Sequence, residues 1–294
     1  MVVKRTFLEG VFDVFNAIFM IVLMIVCFYP IWHVVMASFS EPDQLMVHSG
    51  PILIPLGFTT KGYELVMQNP NILIGYRNTI LYMVTGTIIN LLMTSMGAYV
   101  ISRKRVKFIR PLTLLIMFTM YFSGGLIPWY MIIKSLGMLD TIWAMILPGA
   151  ISTYNLIVMR TSFLSIPNSL IESAQIDGAN DFIVLFKIIL PVSKAMMAVM
   201  TLFYAVGYWN SWFNASILLK NRELFPLQLI LREILIMNDQ KIMMQGMNSI
   251  THQDMYQSLI KYCSIVVGTV PIFFVYPFLQ KHFTKGVMIG SIKE

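Results

Sequence analysis

The residues able to do chemistry gather in two stretches, and neither is arranged for bond-making. In Ser165 to Pro191, small and acidic residues stand at set intervals: Glu172-Ser173-Ala174, then Asp177-Gly178-Ala179, then Ile188-x-Leu190-Pro191. Such a stretch makes a compact protrusion that a soluble partner's groove can desolvate at small cost, above all at Ala174 and Gly178. The second stretch, Ala195 to Leu219, offers hydroxyls, amides and rings: Tyr204, Tyr208, Trp209, Asn210, Trp212 and Asn214. No formal charge lies between Lys194 and Lys220. Flat aromatic faces suit the apolar faces of pyranose rings, and amides suit their hydroxyls. The same residues also suit an aromatic belt at a membrane interface with ordinary packing behind it. Both readings stand at this level.

Local signals say how the first stretch must be held. Pro167 suits an entry turn, and Ser169 with Glu172 has the spacing of a capping box. Gly178 stands where a helix stop needs a left-handed residue. A second helix is expected to restart at Asn180 or Asp181, carry Phe182, Leu185, Phe186 and Ile189 on its apolar side, and end by Pro191. The element predicted is a helix–turn–helix on a membrane surface.

This stretch resembles the EAA loop of ABC-importer permeases, whose pattern is Glu-Ala-Ala, three residues, Gly, nine residues, Ile-x-Leu-Pro. Every spacing is kept, with Ser173 in place of the first Ala. The resemblance extends to Asn78-Thr79, Ala98-Tyr99 and Arg103, to Trp209-Asn210-x-Trp212 and to a Phe283-Thr284-Lys285-Gly286 tail, and is densest from Asn78 to Asn214. What it implies is an all-α integral membrane permease of the maltose-type carbohydrate class. Such a permease has six transmembrane helices, with a cytoplasmic coupling helix between spans four and five. By the same resemblance, Glu172, Ser173, Ala174, Asp177, Gly178 and Ala179 meet an ATPase, and the outward loop 220–261 meets an extracellular solute-binding protein. The implied complex holds a second homologous permease subunit and two ATPase subunits, which carry ATP and Mg; this chain carries no cofactor.

Composition bounds the rest. Of 294 residues, 57% are apolar and only 12% charged, which excludes an ordinary soluble domain. Six apolar runs reach membrane length: roughly 11–38, 78–101, 111–133, 141–159, 195–219 and 262–280. They read as one transmembrane permease domain over 1–294, the first run being a retained anchor rather than a cleaved signal. Gly124-Gly125 and Pro128 interrupt the third run, marking either the transport path or the start of a loop. A short helix is expected over Thr60 to Gln68 and another over Leu227 to Met237. Cys27 and Cys263 lie in apolar runs, where buried thiols pack rather than pair.

Several functions are excluded by what is missing. There is no Gly-x-x-x-x-Gly-Lys-Ser/Thr loop, so ATP-driven action needs nucleotide on another chain. No paired acid and base lies within a span, nor a mid-span charge of the kind a proton-coupled carrier uses. The net charge of +7 is a topology signal and calls for no nucleic-acid partner. Two alternatives remain: an importer for another small solute, or a membrane receptor or scaffold docking a non-ATPase partner. Co-purification of a stoichiometric ATPase separates the importer from the scaffold.

Of the 21 basic residues, 13 fall on the side of the termini and the Ser165–Pro191 loop. The positive-inside rule places that side in the cytoplasm of a multi-pass bacterial cell-membrane protein. In a Cys27→Ser, Cys263→Ser background, an impermeant thiol reagent added outside the membrane is expected to label Asn248→Cys and not Lys107→Cys. External labelling at position 107 would reverse the orientation.

Overall fold

The computed structural model describes residues 7–103, 107–244 and 256–274, the last eight of the middle segment as backbone. The tail Gln280–Gly286 and the polar run beyond Met244 lie outside the described residues. Every regular element among the described residues is helical. In chain order they are α1 (Phe7–Ser38), α2 (Pro42–Val47), α3 (Lys61–Gln68), α4 (Pro70–Ser102), α5 (Ile109–Tyr121) and α6 (Leu126–Ser135). Then come α7 (Ile142–Ile146), a 3-10 turn Leu147–Gly149, α8 (Thr153–Leu164), α9 (Asn168–Ile176) and α10 (Asp181–Ile183). A π-helical stretch Val184–Ile189 leads into α11 (Leu190–Val192) and α12 (Lys194–Trp209). The chain continues through α13 (Phe213–Leu218), a 3-10 turn Arg222–Leu224 and α14 (Leu227–Met244) to α15 (Tyr256–Phe274).

Among the described residues three helices, α1, α4 and α15, are each long and apolar enough to cross a bilayer. Three further crossings are possible only as bent pairs: α5 with α6 at 112°, α7 and its 3-10 turn with α8 at 49°, and α10–α11 with α12 at 87°. The interruption expected at Gly124-Gly125 is present: the run 111–133 turns sharply through Phe122–Gly125, where Gly125 takes φ +89, open to glycine alone. Several other expectations are corrected here. The run 195–219 breaks after Trp209, because Ser211 Oγ donates to the Tyr208 carbonyl (2.8 Å) and Asn210 caps the helix end. Helix α4 starts at Pro70, eight residues ahead of the expected Asn78. No capping box forms at Ser169: α9 begins at Asn168 behind Pro167, with no side-chain cap. The helix expected to end by Pro191 runs one residue further. Leu190 N–H bonds the Leu185 carbonyl across the wider π turn, ahead of a proline that cannot donate.

Contacts fall into two compact units. One takes the described residues up to Asn69 with those from Glu233 to Val270; the other is centred on Pro70–Arg232. In the first unit, the apolar window of α1 is exposed along its length, as lipid or another protein can accommodate. Its end is tied down: Ser40 Oγ donates to Met36 O (2.8 Å) and accepts from Leu56 N–H (3.0 Å), and Trp32 Nε1 donates to Leu53 O (2.9 Å). Cys263 is buried, donating to Ser38 O (3.3 Å), whereas Cys27, expected buried, is exposed on α1; both are free thiols.

In the second unit, α4 is the uninterrupted rod against which α8 and α12 pack. Without a hydrophobic drive inside lipid, close packing has to hold these helices. Gly75, Gly86 and Gly97 recur on one face of α4 and let Ile230, Tyr208 and Leu156 approach closer than a Cβ would allow. Around the C-terminal half of α4 the core centres on Ala98, Met159, Phe163, Val184, Ile189 and Met200, all essentially inaccessible. Toward the start of α4, Asn78 Nδ2 donates to the Glu223 (2.6 Å) and Phe225 (3.1 Å) carbonyls, and Tyr82 Oη to Leu224 O (2.7 Å). Thr79 Oγ1 receives the first N–H of α14, from Leu227, at 2.8 Å.

Asp140 fastens the same loop from the other side. It adopts φ +58, and its Oδ1 accepts the N–H groups of Asn221 and Lys220, both at 2.8 Å. These donors, Asn221 first, hold its carboxyl below the usual carboxylate range. A depressed pKa stabilises the loop above the ordinary value near 4, and that contribution is lost as pH falls through the depressed pKa. Hydrogen exchange at the Lys220 and Asn221 amides, corrected for intrinsic rate, is therefore expected to stay slow from pH 7 to 5 and to quicken below about pH 4. Asp140→Ala should exchange roughly tenfold faster already at pH 7. Equal protection in the variant would remove this anchor.

Candidate functional site

The break between α7 and α8 opens the site. Pro148 lies in the 3-10 turn, and helix geometry lapses before Ser152 caps α8. A lapse in apolar surroundings frees backbone groups that need partners. They come from α4 and α12. Asn90 Nδ2 donates to Gly149 O (3.1 Å), and Tyr208 Oη lies within reach of Asn90 Oδ1 (3.2 Å) and Ile146 O (3.4 Å). The Ser152 N–H donates to Tyr204 Oη (3.3 Å), which also stands 2.6 Å from Thr94 Oγ1.

Around this join lies a cleft of about 540 Å3, within the range of small-molecule sites. Its polar wall is Asn90, Ser152, Asn155, Tyr204, Tyr208, Ser211 and Asn214; Trp129, Phe203 and Pro148 add flat apolar surface. None of the lining residues is charged. Among the described residues no group of His, Cys, Asp and Glu could hold a metal ion. The arrangement can exchange hydrogen bonds with hydroxyls and press rings against apolar faces.

Of the six residues singled out in the fifth apolar run, the structure brings Tyr204, Tyr208 and Asn214 to this cleft. The other three lie elsewhere. Trp209 is buried edge-on to Tyr76, with ring centroids 6.2 Å apart. Trp212 lies under the Arg232 guanidinium at 3.5 Å from its ring centroid. Asn210 is exposed at the end of α12, its N–H on Val206 O. Sequence reasoning missed Asn90, Ser152, Asn155 and Ser211. The available signal was an amide, Asn90, in the middle of an apolar run, and a Pro148-Gly149 break followed by Ser152.

The Ser165–Pro191 loop is built as a helix end of unusual completeness. Ala179 N–H bonds Ala174 O (2.9 Å), Gly178 N–H bonds Gln175 O (3.1 Å), and Gly178 takes φ +83; together these form a Schellman closure. Asn180 then caps the next helix, its Oδ1 accepting Ile183 N–H at 2.9 Å. Ala174 and Ala179 turn inward, half-buried against the core, and Ile171 anchors α9 from beneath. Glu172, Ser173, Asp177 and Gly178 are exposed, with Ile176 almost fully so at 87%. On the following helix, Leu185 and Ile189 are buried as expected, but Phe182 and Phe186 remain exposed.

Gly86 positions the cleft's principal hydroxyl. A Cβ there would stand 2.3 Å from Tyr208 Cζ, so Gly86→Ala must displace the ring from Asn90. A Cβ on Gly207, which lines the cleft, meets nothing within 4 Å. Gly86→Ala is expected to destabilise the protein by about 1–3 kcal/mol, and Gly207→Ala to be neutral or stabilising by up to about 1 kcal/mol. Thermal unfolding of the two variants in one detergent checks this; equal midpoints would refute the close approach.

No protein-family model matches the chain. Individual proteins do. The polygalacturonan/rhamnogalacturonan transport system permease protein YtcP of Bacillus subtilis (strain 168) is 40% identical over 284 residues, covering 96% of this chain and 98% of that protein. Protein LplC of the same organism is 40% identical over 285 residues, covering 96% and 95%. Among solved structures, a bacterial ABC transporter involved in import of the acidic polysaccharide alginate superposes with a TM-score of 0.85 at 30% identity, covering 95% of this chain and 99% of the other. With relatives of this similarity along nearly its whole length, and an all-helical fold to match, the chain belongs to the integral-membrane permease subunits of carbohydrate ABC transport systems.

Proposed function

We propose that this chain forms part of an oligosaccharide path through a bacterial cell membrane, driven by ATP hydrolysed on separate subunits. In this reading α1, α4, α15 and the three bent pairs are six spans of one permease domain, with both termini cytoplasmic. The chain pairs with a second homologous permease, receives sugar from an extracellular solute-binding protein, and rests on two ATPase subunits that carry ATP and Mg. The Ser165–Pro191 loop docks through exposed Glu172, Ser173, Ile176, Asp177 and Gly178, while Ala174 and Ala179 shape it from within.

The observation that carries the substrate reading is the uncharged cleft. An ionised group at membrane depth loses hydration worth several kcal/mol and needs a countercharge. Sugar hydroxyls need only partners such as Asn90, Tyr208 and Asn214, and ring faces such as Trp129. A second reading has its own support. The relatives named for polygalacturonan/rhamnogalacturonan and for alginate point to uronate-bearing oligomers. In that case the partner permease supplies the countercharge.

Uptake by a deletion strain, with and without the chain restored, separates these readings when neutral arabino-, xylo- and galacto-oligosaccharides are run beside oligogalacturonates and mannuronate/guluronate oligomers. Uptake of at least one sugar is expected to depend on the chain. Tyr208→Ala and Asn214→Ala, assembled at normal levels, should each lower it about tenfold, the effect of one lost hydrogen bond in a buried site. Full uptake and unchanged apparent affinity in both variants would leave the cleft as packing alone.

A further inference from the structure

We propose that the hydrogen bond from Tyr99 Oη to Asp181 Oδ1, 2.7 Å long, is the latch through which movement of the Ser165–Pro191 loop reaches the cleft. Tyr99 and Asp181 are then positioning residues for transport. The inference rests on the reading of that loop as the ATPase-docking element.

The argument begins with where the bond sits. Asp181 opens the helix that follows the Gly178 turn, two residues beyond the Schellman closure. Its partner Tyr99 lies in the last turn of α4. Arg103, the residue after α4, lies over the Tyr99 ring, 4.6 Å from its centroid, and Arg160 Nε on α8 donates to Ile101 O at 2.9 Å, so this end of α4 is also held by α8. Tyr99, Arg103, Glu172, Gln175, Asp181 and Phe182 share the wall of one cavity of about 570 Å3. A loop carried by a moving partner therefore pulls on α4 directly.

The alternative route is poorer. From Asp181 along the chain to Tyr204 and Tyr208, the backbone passes a π-helical stretch, Pro191 and an 87° corner at Ser193. A wide turn and a corner absorb displacement. By contrast, α4 runs 33 residues without a break. Nine residues of helix, about 14 Å, separate Tyr99 from Asn90. Within that length α4 presents Thr94 to Tyr204 and Asn90 to Tyr208 and Gly149. A shift of the rod at Tyr99 is a shift at the cleft wall, and the latch couples one to the other without passing the bend.

The test uses the complete transporter in nanodiscs, with Ser211→Cys as a reporter in the cleft and Cys27→Ser and Cys263→Ser as background. The labelling rate by a small water-soluble thiol reagent is read with and without MgATP and vanadate, which traps nucleotide on the ATPases. Trapping is expected to change the rate about tenfold in the otherwise native chain. Tyr99→Phe keeps the ring under Arg103 and loses only the hydroxyl; it should trap nucleotide normally yet lose most of that change. Asp181→Asn keeps an acceptor oxygen and should retain at least half of it. Should Tyr99→Phe fail to assemble, Asp181→Ala removes the same bond from the other side. A full response in Tyr99→Phe overturns the latch. Gly178→Asp, run in parallel, tells the two ideas apart: loss there with a full response in Tyr99→Phe leaves docking and removes only the latch. Retention in Gly178→Asp removes the docking reading, and the latch with it.

Discussion

The break between α7 and α8 frees peptide groups in apolar surroundings, and α4, with the tyrosines of α12 packed on it, is where those groups find partners. Hydrocarbon offers nothing to an open carbonyl or amide, so an interrupted span survives only if protein satisfies it. Asn90 meets the Gly149 carbonyl at the α7–α8 break, and Thr94 holds Tyr204, which takes the Ser152 amide. Nearer the start of α4, Asn78, Thr79 and Tyr82 satisfy the loop from Glu223 to Leu227. One continuous helix thus makes a discontinuous one and an irregular loop tolerable. Its own backbone is satisfied along its length, which leaves its polar side chains available to others.

The same economy explains the character of the cleft. Groups recruited to close a helix break are hydroxyls and amides, because these bond peptide groups without burying a charge. What remains of their hydrogen-bonding capacity faces the cleft, joined by Asn155, Ser211 and Asn214. The wall on the α4 side is consequently rigid, its residues bonded to backbone and to one another. On the other side, Ser211 stands in the gap between α12 and α13, and Asn214 in the first turn of α13.

Small residues serve two different ends. On α4, glycine admits an aromatic ring: Tyr208 rests where a Gly86 Cβ would stand. In the loop, Gly178 has open space around it, and its requirement is conformational, a left-handed turn that returns two amides to the Ala174 and Gln175 carbonyls of α9. Ala174 and Ala179, equally small, face the core. The exposed tip is left to Glu172, Ser173, Ile176 and Asp177, a mixed acidic and apolar surface.

Taken alone, the sequence determines whatever depends on near neighbours and on mean polarity. Apolar runs of membrane length require helices, since a spanning backbone must bond within itself. The left-handed turn at Gly178 and the restart capped by Asn180 were legible because glycine and asparagine act on peptide groups within a few residues. So were the short helix ending at Gln68 and the start of α14 at Leu227. The interruption at Gly124-Gly125 was legible on the same ground, but the break after Trp209 and the cleft were not, for the opposite reason. Hydropathy counts each residue's transfer to lipid separately, so 195–219 reads as an unbroken span, and Asn90 and Thr94 as polar residues diluted among apolar ones. Their meaning lies in bonds to Gly149, Tyr204 and Tyr208, from 59 to 118 residues away. Tyr204 and Tyr208 were distinguishable by type from Trp209, Asn210 and Trp212, but not by position. Only the packing of α12 on α4 decided that the two tyrosines face the cleft, while the others end a helix, meet Tyr76 edge-on or lie beneath Arg232.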